Sequence, residues 1–236
     1  MAKPVGNQFG KFNGKLGNKV YRKLYGKESV SERPFAYKKS NSAASFKTHM
    51  RTKLNNKLAK AVKSDDILYD LWDNSKSLGA NKNSRILKTN GTITTYEGLN
   101  LRNSITPIHK FVPDKYHSRI YFFKMKSFAL KRNSVFAEFK LNLAALNLPD
   151  LPFHCVCIIY LGRKDIYTSD DFTLLRFSED VCLSRTGDFT KCKITVDKDS
   201  LLLIKSYKVR IMYFAAVRYN TIDKFYEWSD TFAKGF

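Results

Sequence analysis

The sequence is poor in several features that define common classes of protein. It has four cysteines in 236 residues and only 21 acidic residues against 42 Lys and Arg. No stretch of it approaches the run of about 18 uncharged apolar residues that a membrane span requires. The opening MAKPVGNQFG lacks the apolar core of a secretion signal. These absences predict a protein with no membrane span and no cleaved signal, with reduced thiols in a cytoplasmic compartment.

The sequence also lacks the residue constellations of common enzymes. None of its histidines has a partner at a recognisable catalytic spacing: His49, His109, His117 and His154. The stretch from Gly10 to Lys15 is one residue too short for a P-loop, and Leu16 stands where a P-loop has Ser or Thr. We therefore predict a protein that is not an enzyme and needs no cofactor. An enzyme with an unrecognised site is the weakest alternative.

The cysteines are the best candidates for metal ligands, because four thiols are the number in a structural zinc site. They are Cys155, Cys157, Cys182 and Cys192. Cys155 and Cys157, however, alternate within an apolar strand instead of forming a Cys-x2-Cys knuckle, so both should point into the same core face. The spacing favours buried free cysteines and predicts no metal.

The positive charge is concentrated at the start of the chain. Residues 1–63 contain 16 Lys and Arg against two acids, residues 64–110 contain six against five, and residues 111–236 contain 20 against 14. The first quarter therefore carries two-thirds of the net charge of +21. A localised basic segment is typical of a protein that binds a polyanion, and a solvated tail is the alternative.

Residues 1–40 combine glycines with aromatic and aliphatic residues. Five glycines lie among the lysines: Gly6, Gly10, Gly14, Gly17 and Gly26. Glycine lets a partner approach the backbone closely, and aromatic rings can stack on bases or bury in a neighbouring protein. Residues 21–25 and 28–32 resemble two short strands around a turn. We predict a basic arm or hairpin over residues 1–40.

Residues 41–73 predict an amphipathic basic helix that begins at Asn41 or Ser42. Apolar residues recur at every fourth position: Phe46, Met50, Leu54, Leu58 and Val62. Residues 67–72 continue this helix or form a second short one. Cations flank the apolar stripe, so the margins of the helix can face phosphates. A helix whose charges serve only solubility is the alternative.

The rest of the chain predicts a linker followed by a β-rich domain. Residues 74–106 are rich in Asn, Ser, Lys, Gly and Thr, which is typical of a linker. Residues 107–236 contain seven strand candidates, with no helical stretch between them: 119–126, 135–143, 153–161, 172–177, 190–196, 207–218 and 224–232. We predict an α+β chain in which the arm and helix precede an antiparallel immunoglobulin-like β-sandwich, although a barrel has similar strand spacing.

Two glycine-lysine runs open the chain: Gly10-x-Phe12-x-Gly14-Lys15-x-Gly17-x-x-Val20, then Gly26-Lys27-x-x-Val30-x-x-Arg33-Pro34. They resemble the opening of a family of uncharacterised proteins from Bacteroidetes and related bacteria. In that family a helix with a Leu-x-x-x-Trp-like element follows, which Ile67, Leu68 and Trp72 match here. The resemblance covers residues 10–72. It implies the same layout of a basic opening, a helix and a β-rich domain, and it implies no mechanism.

Together these observations predict a component of a large nucleoprotein assembly such as a ribosome. RNA is favoured over DNA, because no recognition-helix or zinc-finger pattern is present and the aromatics suit unstacked bases. The alternative is a structural protein of a virion, filament or surface assembly, in which the arm contacts neighbouring subunits. The predicted nucleic-acid contacts are Lys11, Lys15, Lys19, Arg22, Lys23, Lys27, Arg33, Lys38, Lys39, Lys47, Arg51 and Lys57.

Overall fold

A computed structural model provides the structure of the protein. It describes residues 14–16, 19–24, 27–32, 42–74, 82–91, 98–108, 119–121, 123–141, 152–164, 166–182, 189–221 and 225–236. The chain divides into two compact units, Met1–Ser45 and Phe46–Phe236.

The N-terminal unit contains a three-stranded antiparallel sheet in the order β1-β2-β3. Its strands are β1 (Gly14–Leu16), β2 (Lys19–Leu24) and β3 (Lys27–Glu32). The register places Glu32 opposite Lys19 and Glu28 opposite Lys23. Both acidic residues of the basic segment thus occupy positions opposite a lysine, an arrangement that favours strand pairing. β2 and β3 lie in the range where the sequence predicts a hairpin.

The remaining described residues form four helices and nine strands. The helices are α1 (Ala43–Lys63), α2 (Asp66–Asn74), α3 (Lys82–Gly91) and α4 (Lys198–Ser206). The strands are β4 (Arg119–Tyr121), β5 (Phe123–Lys131), β6 (Ser134–Leu141), β7 (Phe153–Gly162), β8 (Phe172–Val181), β9 (Thr190–Thr195), β10 (Val209–Asn220), β11 (Phe225–Ser229) and β12 (Phe232–Gly235).

Six of these strands form one sheet in the order β4-β11-β10-β7-β8, with β12 also paired to β10. β10 has 12 residues, which is long enough for β11 to pair with residues 217–220 and for β12 to pair with residues 211–214 on the same strand. Where the chain passes from β11 to β12, the Ala216 amide donates to the Ser229 hydroxyl at 2.9 Å. Among the described strands of this sheet, β4 and β11 pair in parallel and the other pairs are antiparallel.

A second sheet, in the order β5-β6-β9, packs against one face of the first. Side chains alternate between the two faces of a strand, so odd-numbered residues of β7 such as Cys155, Cys157 and Ile159 point toward this smaller sheet. Phe214 of β10 joins them, and its ring contacts Phe128 of the smaller sheet at a centroid distance of 5.6 Å. The two sheets therefore share one apolar core.

Helices cover the opposite face of the six-stranded sheet. The even-numbered residues of β7, including Val156 and Ile158, belong to a core that contains Leu54 and Leu58 of α1. Trp72 of α2 is also buried there, and its indole Nε1 donates to the Ile105 carbonyl at 3.0 Å. The central strands are therefore buried on both faces, which explains their continuous apolar runs.

Residues 98–108 connect the helical layer to the sheet through buried polar groups. The Asn90 side chain of α3 accepts from the Ser104 amide at 2.8 Å and donates to the Ser104 carbonyl at 2.9 Å. The Thr231 hydroxyl between β11 and β12 accepts from the Ile105 amide at 3.1 Å. Satisfying these groups allows a polar segment to run through the interior.

The predicted α+β class with antiparallel sheets is confirmed, and the immunoglobulin-like type of the sandwich stays a prediction. Residues 74–106 differ from the predicted linker, because they contain α3 and the buried Leu99 and Ile105. Asn90, Asn103 and Ser104 of this range are buried and hydrogen-bonded, although the same residue types are common in an exposed linker. The second short helix of residues 67–72 is present as α2.

The prediction of no helix within residues 107–236 is wrong, because α4 follows β9. Its N-cap residue Asp197 accepts from the Ser200 amide at 2.8 Å. An acidic side chain before a helix is a sequence signal for such a start. The helix has only nine residues, and its length and strand-like Leu-Leu-Leu-Ile run concealed it.

Gly98 provides a test of how the polar segment packs on the sheet. It has a φ of 139°, and a Cβ at this position would overlap the Tyr160 hydroxyl. We expect Gly98→Ala to lower the free energy of unfolding by about 2–4 kcal/mol, because strain and overlap combine. Equilibrium urea unfolding measures this change.

Gly91→Ala is the matched control. A Cβ at Gly91 would lie 3.7 Å from the Asn55 side-chain nitrogen, an ordinary contact. We expect its free energy of unfolding to stay within about 1 kcal/mol of the parent protein. Equal stabilities for the two variants would contradict the packing of Gly98 against Tyr160.

Candidate nucleic-acid interface

The helix α1 is the most basic element whose side chains the structure describes. Its 21 residues include six Lys and Arg and no acidic residue. The apolar stripe predicted from the sequence is buried at Met50, Leu54, Leu58 and Val62, while Phe46 at the start of the stripe is exposed. Lys60 and Lys63 in the last turn are favourable for the helix dipole. The cations nearer the N-terminus have no such role in helix stability.

The N-terminal half of α1 is exposed on nearly all sides. In residues 43–53, all of which the structure describes, Met50 is the only buried residue. Lys47 and Arg51 precede Leu58 and Val62 by 11 residues, which is three turns of helix, so they share the angular sector that is buried further along. These cations are exposed because the first turns of α1 lie outside the packed core.

A second row of cations faces away from the core. Lys53 and Lys60 are exposed, and they lie four and 11 residues after the exposed His49, on the same side of the helix. The predicted set of contacts omits both lysines. Their spacing relative to the buried stripe is the signal that identifies them. α1 thus presents cations on two sides of its N-terminal half.

The other predicted contacts divide into three groups. Lys19 is exposed on β2. The structure describes the backbone positions of Lys15, Arg22, Lys23 and Lys27 on β1, β2 and β3. The remaining four lie outside the described residues: Lys11, Arg33, Lys38 and Lys39.

Lys57 is less exposed than Lys47 and Arg51, and its ammonium group is bound within the protein. Its Nζ donates to the carbonyl oxygens of Ser169 at 2.5 Å and Phe172 at 2.8 Å. It also lies 4.5 Å from the centroid of the Phe172 ring. Burial lowers the pKa of Lys57, and the charge of Asp170 opposes that shift. The sequence could not reveal this, since the bound loop is more than a hundred residues away along the chain.

A substitution at Lys57 should therefore affect stability. We expect Lys57→Gln to lower the free energy of unfolding by about 1–3 kcal/mol, because two part-buried carbonyls lose a charged donor. Lys53→Gln, on the exposed side of the same helix, should change it by less than about 0.5 kcal/mol. Chemical unfolding of both variants measures the difference, and an equal effect would refute the anchoring role of Lys57.

Asp65, in the turn between α1 and α2, forms the centre of a charged network. Its side chain is 1% exposed, and it accepts from His154 Nε2 at 2.9 Å and Arg176 Nη1 at 2.8 Å. It also accepts from the Leu68 amide at 3.0 Å and so caps α2. His154 Nδ1 lies 2.6 Å from an Asp180 oxygen. The network joins the helical layer to β7 and β8.

The contacts of His154 in this network support a structural role. Both ring nitrogens of His154 are engaged by carboxylates, so neither offers a free lone pair to a substrate or a metal. Burial by itself would lower the pKa of His154, but the hydrogen bonds to Asp65 and Asp180 outweigh it and raise the pKa. Burial likewise opposes ionisation of Asp65, yet hydrogen bonds from His154 and Leu68 keep its pKa below its usual value.

These opposite shifts define the pH range in which the network stabilises the fold. The raised pKa of His154 contributes stability fully below its ordinary value of 6.5, and this is lost as pH rises through the folded-state pKa. The lowered pKa of Asp65 contributes stability above 3.8, and this is lost as pH falls. The combined contribution is therefore largest between these two values.

We expect His154→Gln to lower the free energy of unfolding by about 1 kcal/mol more at about pH 5.5 than at about pH 8.5, after allowing for solvent screening at Asp180. His49→Gln, at an exposed position of α1, is the control and should show no such difference. Denaturant titrations at the two pH values provide the measurement. The same loss at both pH values would mean that His154 has the same pKa in the folded and unfolded protein, and so would contradict the raised pKa.

Arg218 and Glu227 form a second buried ion pair, in the six-stranded sheet. Arg218 Nε donates to a Glu227 oxygen at 2.6 Å, and the guanidinium carbon lies 4.6 Å from the centroid of the Phe153 ring. The two residues face each other across β10 and β11. The pair therefore fixes strand register, since a shift by one residue would separate the charges.

Cys155 and Cys157 follow the arrangement predicted from their spacing, whereas Cys182 departs from the predicted burial. Cys155 and Cys157 lie in the same core with Cys192, whereas Cys182 is exposed. A hydrogen bond with Cys192 and burial raise the pKa of Cys155, and burial raises that of Cys157. Raised pKa values keep these thiols protonated in the apolar core. Among the described residues, no group of three or more His, Cys, Asp or Glu could hold a metal ion.

No protein-family model matches the chain, and no curated protein matches it. The resemblance of residues 10–72 to a Bacteroidetes family therefore stays a prediction. Within the part of the chain that the structure describes, no helix has both the length and the apolar content to cross a membrane.

Proposed function

We propose that the protein is a non-enzymatic, nucleic-acid-binding component of a large nucleoprotein assembly such as a ribosome. The observation that carries the proposal is the exposed N-terminal half of α1, which has cations on two sides and no acidic residue. Like charges on one helix repel each other, so their accumulation favours a function in binding a polyanion. Residues 1–63 contain 16 Lys and Arg against two acids, so the sequence that precedes α1 is basic as well.

RNA is the favoured partner for two reasons. The sequence has no recognition-helix or zinc-finger pattern of the kind that reads a DNA major groove. The segment that precedes α1 combines lysines with aromatic residues, which suits irregular or unstacked bases. RNA binding by the protein should depend strongly on salt concentration, because contacts with phosphates release counterions.

The alternative is a structural protein of a virion, filament or surface assembly. One observation favours it: β1, β2 and β3 form a small sheet within a compact unit of their own, and such strands can pair with a neighbouring subunit. In that case the immunoglobulin-like sandwich would be the displayed body. The two functions are compatible, since a nucleoprotein assembly needs both kinds of contact.

A triple variant tests the α1 surface. We expect Lys47→Gln, Arg51→Gln and Lys53→Gln together to weaken binding of single-stranded RNA about tenfold. They should also reduce the slope of log affinity against log salt by about 2, because three phosphate contacts are lost. Fluorescence anisotropy of labelled RNA over a salt series measures both quantities. The matched control changes Lys198, Lys205 and Lys208 to Gln, which removes the same charge from exposed positions in and after α4.

An equal loss of affinity in the two triple variants would show that net charge, not α1, governs binding. Deleting residues 1–40 separates the two functions. Loss of salt-sensitive RNA binding on deletion supports the nucleoprotein role. Loss of salt-insensitive self-association, measured by sedimentation, supports the assembly role instead. If the deletion changes neither property, the N-terminal segment has neither function.

A further inference from the structure

The outer face of the three-stranded sheet β5-β6-β9 is a second basic surface, separate from α1. Alternation along β6 buries Val135, Ala137 and Phe139 and directs Phe136 outward, and β9 buries Cys192 and Ile194 in the same way. Six lysines lie on the solvent side of this sheet: Lys124, Lys126, Lys131, Lys140, Lys191 and Lys193. Glu138 is the one acidic residue on this face among the described residues, and it is bound to Lys126 at 3.0 Å.

Phe136 lies on the middle strand of this face and is 38% exposed. The register places Ala129 of β5 and Lys193 of β9 on either side of it. The small Ala129 side chain leaves that side of the ring open, and Lys193 Nζ lies 5.9 Å from the ring centroid. A flat aromatic surface with a cation beside it is therefore accessible from solvent.

A second ring has the same kind of neighbour. Phe189 directly precedes β9 and is half-buried, and Lys126 Nζ lies 5.3 Å from its centroid. Because Lys126 also bonds the outward-facing Glu138, this contact lies on the outer face of the sheet. The face thus combines two aromatic rings with closely spaced lysines.

An isolated exposed aromatic residue is common and needs no explanation. A group of six lysines with a single acid, in contrast, does need an explanation, because the lysines repel each other unless an anion binds between them. Aromatic rings on an open sheet add a preference for flat, unstacked groups. Bases of a single strand meet that requirement, whereas the bases of a duplex are covered by their neighbours. An anionic membrane would instead call for several exposed apolar side chains, and Phe136 is the only strongly exposed one among the described residues of this face.

We propose that the outer face of β5-β6-β9 binds single-stranded nucleic acid. Bases stack on Phe136 and Phe189, and the surrounding lysines contact the phosphates. This surface includes no residue of α1, so the proposal does not depend on the function proposed for that helix.

The test uses the full chain and a labelled oligouridine of about 15 nucleotides, a length suited to such a surface. We expect Phe136→Ala to weaken binding about tenfold with the salt slope unchanged, because stacking is not electrostatic. Phe136→Tyr should bind like the parent protein, whereas Phe136→Leu should bind as weakly as Phe136→Ala. Tyr167→Ala, which removes an exposed aromatic ring elsewhere, is the control and should have no effect.

Lysine substitutions provide a second measurement that does not rely on Phe136. Lys191→Gln with Lys193→Gln should reduce the salt slope by about 1.4, and the same pair of changes at Lys198 and Lys205 should not. The Phe136 and lysine substitutions are then repeated in the α1 triple variant. If the two surfaces bind independently, each substitution should cause the same loss of oligouridine binding there as in the parent protein. Thermal unfolding confirms that each variant is folded.

Three results would overturn the proposal. The first is unchanged oligouridine affinity in both Phe136→Ala and the Lys191 and Lys193 variant. The second is duplex RNA binding as tight as single-strand binding and equally sensitive to Phe136→Ala. The third is binding to phosphatidylserine vesicles that depends on Phe136 while oligouridine binding does not, which would identify the face as a membrane-contact surface.

Discussion

β7 and β10 are buried on both faces, and the rest of the larger unit is arranged to cover them. Their side chains alternate between a core shared with the helices and a core shared with the smaller sheet. Two adjacent strands with no polar face cannot border water on either side, so a layer is required above and below. The helices α1 and α2 form one layer, and the sheet β5-β6-β9 forms the other.

The helical layer is held in place by polar groups as well as by apolar packing. Lys57 binds the loop before β8, and Asp65 binds His154 and Arg176 on β7 and β8. Asn90 and Thr231 fix residues 98–108 between α3 and the sheet. Because each of these buried groups has a specific partner, these contacts select one position for the helices where apolar packing alone would allow several.

This arrangement also determines which basic side chains are available to a partner. The core covers the C-terminal half of α1 and leaves its N-terminal half exposed. The cations of this one helix therefore differ in how accessible they are to a partner. Lys57 is committed to the fold, whereas Lys47 and Arg51 are exposed. In the opposite layer, the outer face of β5-β6-β9 has lysines around Phe136. The two proposed binding surfaces are thus the exposed N-terminal half of α1 in one covering layer and the outer face of the smaller sheet in the other.

The sequence by itself determined the elements that depend on local pattern. Period-four apolar residues identified α1, period-two alternation identified β6, and the spacing of Cys155 and Cys157 placed both in one core face. It also located the excess charge. Only the tertiary structure decided that a polar stretch was interior, because Ser104 is bonded by Asn90 and by Thr231, which are 14 and 127 residues away along the chain. It alone distinguished Lys57 from Arg51 and brought lysines from three strands around Phe136. Such relations depend on long-range contacts, which no local pattern encodes.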